Sequence, residues 1–79
     1  MSHTPHELAE AFPDQHEAIQ RLRAGDAHFA RLADEHHELN RQIHRAETDV
    51  EPMADFALED LKKRRLQLLD QIRAMLSAA

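Results

Sequence analysis

Between residues 29 and 50 the chain repeats its apolar residues at alternating steps of three and four: Phe29, Leu32, Leu39, Ile43, Ala46 and Val50, with His36 as the one polar member of the series. Such steps put every member on one stripe of an α-helix, the seam of a coiled coil. A second series has the same spacing. Leu58, Leu61, Leu68, Ile72 and Met75 form it, and Arg65 is its one polar member. Thr48-Asp49-Val50-Glu51-Pro52 separates the two and carries turn formers, with a proline that cannot continue a helix interior. Two long helices joined by a short connection become antiparallel neighbours. The spacing therefore predicts an all-α, coiled-coil-like antiparallel helical hairpin, with long helices at about 27–48 and 54–77.

Composition agrees. The chain has 79 residues, one glycine, three prolines, no cysteine and 32% charged residues, so it is a single domain without disulfides or thiolate metal sites. At this size a lone helical core is marginal, which favours support from another chain. The net charge of −5 with neutral histidines argues against coating nucleic acid, which needs clustered excess cation. No apolar run approaches the roughly 18 residues of a membrane span, and the start of the chain lacks the basic and apolar regions of a signal peptide. A cytoplasmic protein is expected.

The N-terminal part is less regular. Thr4, Pro5 and Glu7 suit a helix start that ends before Pro13. Residues 1–14 are expected to be an extension, either a short helix or disordered, ahead of a hairpin domain over 15–79. Asp14 is the expected cap of a second short helix, Gly25 its left-handed terminator, and Asp26 the cap of the helix that follows.

If the turn centres between Val50 and Glu51, facing residues have numbers that sum to 101. Phe29 then faces Ile72, Ile43 faces Leu58, and His36 faces Arg65. The two polar seam residues share a layer, and a slip by one turn would strand both, at about 1–3 kcal/mol each. This layer can fix the register of the hairpin. Neutral His36 can accept from the Arg65 guanidinium or stack against it, or Asp34, Glu35, Glu38 or a second chain can supply an acid that completes the layer.

The segments "RLRAGDAHFARLADEHHELNRQIHRAE" and "LKKRRLQLLDQIRAML" resemble the YdcH-like family of small bacterial proteins. The resemblance covers residues 17 to 76 and rests on Phe29, Leu32, the His36–Leu39–Ile43 series, Leu61-Lys62-Lys63 and the Leu66–Leu68–Asp70 run. It implies a helical hairpin of bacterial origin with an interaction role, and no reaction. Residues 1–14 lie beyond the family pattern, and Leu69 stands where that pattern more often has lysine.

No catalytic residue, cofactor or metal site is expected. "DEHHELNRQIH" nearly spells a zinc-protease helix, but Arg41 stands where the second histidine ligand is needed. His37 and His44 lie two turns apart, about 10.5 Å, too far to share an ion. Lys62-Lys63-Arg64-Arg65 is the one basic run. Consecutive helical residues point in different directions, so it forms a ring in which the lysines pair with acids such as Glu59 and Asp60. The apolar surplus is more informative. Phe12, Ile19, Leu22, Leu66, Leu69 and Leu76 exceed what one hairpin seam buries, so either the first helices fold back over the hairpin or two hairpins associate. These six residues form the expected association surface. The expected function is non-enzymatic protein–protein association, as an adaptor or regulatory module. A second copy of the chain is the first partner expected, with no membrane or small-molecule substrate. The alternatives are a regulator that contacts nucleic acid or an anionic surface through residues 62–65, and a histidine-based protein that responds to pH or metal.

Overall fold

The computed structural model describes residues 7–48 and 53–78. Thr4, Pro5, Val50 and Pro52 therefore lie outside the described residues. Four helices follow one another: α1 (Leu8–Ala11), α2 (His16–Gly25), α3 (Ala27–Glu47) and α4 (Asp55–Ala78). The described residues contain no strand. The all-α expectation holds, and the two long helices begin and end within one residue of the expected bounds.

α3 packs along α4, and α2 packs on α3. Two cross-helix bonds give the direction of the α3–α4 pair. Arg65 reaches Asn40 and Lys62 reaches Glu47, so later residues of one helix meet earlier residues of the other. The radius of gyration is 13.3 Å, against about 12 Å for a compact globule of this length, as befits a hairpin built on two helices more than 30 Å long.

The start of α3 follows the expected chemistry. The Asp26 carboxylate accepts from the backbone N–H of His28 at 2.9 Å and of Phe29 at 3.1 Å, satisfying two donors of the first turn. The start of α2 does not. Gln15 occupies the cap position and makes no side-chain cap bond. Asp14 is consumed by a turn in which the Gln15 N–H donates to the Phe12 carbonyl at 3.1 Å, with Pro13 at the turn position that its fixed φ suits. Gly25 is also corrected. It is the last helical residue of α2, and Asp26 makes the reversal in an extended conformation (φ −131°, ψ 109°). No left-handed residue is needed. Asp55 lies inside the first turn of α4, and Ala54 ahead of it accepts from the Leu58 N–H through its carbonyl.

One hydrophobic cluster joins all four helices. Phe29, Ile43 and Ile72 are completely buried at its centre, and Leu32, Leu39 and Leu68 are buried around them. Leu58, Leu61 and Met75, the rest of the expected seam, are half-buried against it. Leu8 and Phe12 belong to the same cluster, so the segment from Leu8 to Phe12 is part of the packed unit and not an appendage to a domain that begins at 15. Arg73 reinforces this, with its guanidinium 5.6 Å from the centre of the Phe12 ring.

This packing also corrects the expected association surface. Phe12, Ile19 and Leu76 are buried within the chain, and Leu22 and Leu69 are half-buried against the core. α1 and α2 fold back over the hairpin and absorb the surplus internally. Of the six residues, Leu66 alone stays exposed, at 57%. Two further large apolar residues are exposed that the sequence reading had not singled out: Phe56 at 81% and Met53 at 36%.

Candidate functional site

Two features of the chain are not explained by core packing alone: a buried polar layer between α3 and α4, and the outward face of α4.

The polar layer contains His36, Asn40 and Arg65. His36 and Asn40 lie one turn apart on α3 and both are buried. Arg65 is half-buried on α4, and its Nη1 donates to the Asn40 side-chain oxygen at 2.9 Å. Arg65 thus bonds one turn beyond His36. The cross-helix bonds join residues that sum to 105 (40 + 65) and 109 (47 + 62), displaced from the 101 expected. Arginine and lysine are long enough to reach along a turn. His36 is left with both ring nitrogens buried and without a hydrogen-bond partner. Burial pushes its pKa below the ordinary value. The Glu7 carboxylate pulls the other way, while Arg65 and His37 act in the same direction as burial.

Two of the acids considered for this layer, Asp34 and Glu38, are engaged elsewhere. Asp34 accepts from Arg23 at 3.1 Å, which ties α2 to α3, and Glu38 lies 3.9 Å from Arg41. His37, the outward neighbour of His36, holds Nδ1 within 3.1 and 3.2 Å of the two Glu7 oxygens. An N–H there donates to the carboxylate and ties the chain ahead of α1 to α3. Among the described residues no three His, Cys, Asp or Glu side chains are grouped to hold a metal ion.

Sequence reasoning missed Asn40 and Ala33, both buried beside the seam. They are seven residues apart and so lie on one flank of α3. Beside Ala33, a groove runs between α3 and the first two helices, and Leu8, Ile19 and His37 also line it. A small residue at 33 lets the first two helices approach. The visible signal was the pair itself, a small and an amide residue repeating at the heptad spacing.

The outward face of α4 carries Phe56, Glu59, Lys63, Leu66, Asp70 and Arg73, all exposed. Lys62 on its edge bonds Glu47 at 3.1 Å and approaches Glu59 at 3.9 Å. Arg73 donates to Asp70 at 2.9 Å. Leu66 borders an open groove of about 330 Å³ between α1 and α4, lined also by Glu10, Ala11, Lys62, Arg65 and Leu69. Phe56 borders a second one at the start of α4, with Met53, Ala57, Leu61 and Gln42. No described helix is long and apolar enough to cross a membrane.

A family model described as "Protein of unknown function (DUF465)" matches residues 29–76, well over half the chain. The match begins at Phe29 and ends at Leu76, both core residues, and so spans the hairpin. The chain belongs to the DUF465 family. The match rests on that description and does not extend to the YdcH-like name. No curated protein and no solved structure matches the chain. The DUF465 segment contains the whole His36–Asn40–Arg65 layer and the outward face of α4, while α1 and α2 lie ahead of it. The two features thus belong to the family part of the chain, and Leu8, Phe12 and Ile19, which cover the hairpin, come from the part outside the match.

Proposed function

We propose that this DUF465 protein acts without catalysis, by packing the outward face of α4 against another polypeptide, with a second copy of itself as the first partner. The observation that carries this reading is the exposure of Phe56 and Leu66 after every other large apolar residue of α4 has found cover inside the chain. Burying a leucine or phenylalanine contributes about 1.5–3 kcal/mol, so two on one helix face are a substantial drive to associate. The chemistry elsewhere supports the same reading. His36 is sealed from solvent, where no substrate can touch it, and the depressions on the surface are open. In the basic run Lys62 and Arg65 are spent on Glu47 and Asn40, which leaves Lys63 and Arg64 for a nucleic acid or an anionic surface. Two adjacent cations on a chain of net charge −5 form a weak phosphate-binding stripe.

Sedimentation velocity over a range of concentrations tests the proposal. The expected species is a multiple of the 9.1 kDa chain mass, and Phe56→Ser with Leu66→Ser moves it toward monomer while far-UV circular dichroism stays unchanged. A chain that stays monomeric at every concentration sinks the self-association reading.

A further inference from the structure

We propose that the second copy lies antiparallel on α4, with the two-fold axis passing beside Leu66. This rests on the self-association reading above and gives it a geometry. Glu59, Leu66 and Arg73 are seven residues apart and exposed, so they form one straight row along α4. Lys62 and Asp70 flank the row four residues to either side of Leu66.

About a two-fold axis at Leu66, residues that face each other sum to 132. Leu66 meets Leu66 and Glu59 meets Arg73, while half-buried Lys62, held by its own Glu47, and exposed Lys63 approach Asp70. Acid meets base in each charged pair, and symmetry makes each of them twice. A parallel, in-register arrangement would set Glu59 against Glu59 and Arg73 against Arg73, so the charge pattern selects the antiparallel one. The apolar residues agree with this choice. Leu66 of each copy enters the groove bordered by Ala11 and Leu69 of the other. The pattern is complete in this chain's own residues, which is why a second copy is the occupant.

The test uses the full chain and two kinds of variant. Glu59→Arg places four arginines in the two symmetric contacts and raises the dimer dissociation constant by about tenfold or more, because like charges then face each other in both. Adding Arg73→Glu reverses both partners and restores most of the lost affinity. Circular dichroism of each variant checks that loss of the Arg73–Asp70 bond leaves the helices intact. The chain has no native cysteine, so single cysteines report the axis directly. Leu66→Cys oxidises to a disulfide-linked dimer, since facing helices at ordinary packing distance bring such residues within disulfide reach. Ala74→Cys does not, because its two copies sit about 24 Å apart along the helices. If the wild-type chain dimerises but the double swap recovers nothing, or Ala74→Cys crosslinks as readily as Leu66→Cys, this geometry is overturned and self-association stands. A wild-type chain that is monomeric throughout overturns both.

Discussion

Replacing His36 with leucine should make the protein more stable and less sensitive to acid. The imidazole is fully buried, and neither ring nitrogen has a hydrogen-bond partner. A buried polar group without a partner costs about 1–3 kcal/mol relative to one that is satisfied or absent. Leucine is apolar, of similar size, and suited to a seam position between Leu32 and Leu39. His36→Leu is therefore expected to stabilise the fold by about 1–3 kcal/mol near pH 7.5, which raises the melting temperature by at least about 4 °C for a domain this small. The pH dependence adds a second readout. His36 has a folded pKa below its unfolded value near 6.5, so above that pH both states carry it neutral and it contributes no slope. Below it the unfolded chain takes up a proton that the folded chain resists, and stability falls as the pH drops toward the folded pKa. Glu7, Arg65 and His37 remain in the variant, so the difference between the two profiles isolates His36. Urea denaturation followed by circular dichroism, from about pH 7.5 to about pH 5, measures both effects. A variant that is less stable than the parent at pH 7.5 would refute the orphaned-imidazole reasoning. A variant with the parent's full acid slope would refute the assignment of that slope to His36.

Three further perturbations probe the parts of the fold on which the surface of α4 depends. Ile72→Ala opens a cavity at the centre of the cluster, where Ile72 is fully buried, and should cost about 2–5 kcal/mol in chemical denaturation. Asn40→Leu removes the oxygen that accepts from the half-buried Arg65 and should cost about 1.5–3 kcal/mol; an Arg65→Met change in the same chain should recover part of it, which a double-mutant cycle would detect. Gly25→Ala should stabilise by up to about 1 kcal/mol, because Gly25 is helical and an added Cβ meets open space; a loss of stability would show that the α2–α3 junction needs glycine after all.

The hairpin was legible because two polar interruptions could not hide a period kept over some twenty residues in each helix. Capping was legible only in part. Asp14 and Asp26 both precede helices, and side-chain chemistry alone ranks them equally, but Pro13 draws Asp14 into the Phe12–Gln15 turn while Asp26 is free to turn its carboxylate onto α3. The apolar surplus was visible in full, whereas its destination was not. Phe12, Ile19 and Leu76 gain the same free energy from their own chain as from a second one, and periodicity does not distinguish the two covers. Phe56 could have been found by the same arithmetic. It precedes Leu58 by two residues, about 200° around the helix, and so faces away from the seam.

The polar layer shows why the partner of Arg65 resisted prediction. Pairing His36 with Arg65 would satisfy both at neutral pH, yet it would make the α3–α4 contact depend on an uncharged imidazole. Protonating His36 in acid would set two cations against each other at a dry position, which burial and Arg65 both resist. An amide oxygen does not titrate, so Arg65 on Asn40 keeps the cation satisfied at any pH at which the chain is folded. The cost is moved to His36, which stays neutral and without a partner. A fold that fixes its register through Asn40 thus tolerates the unsatisfied histidine, and the stability that His36→Leu should recover is a measure of that compromise.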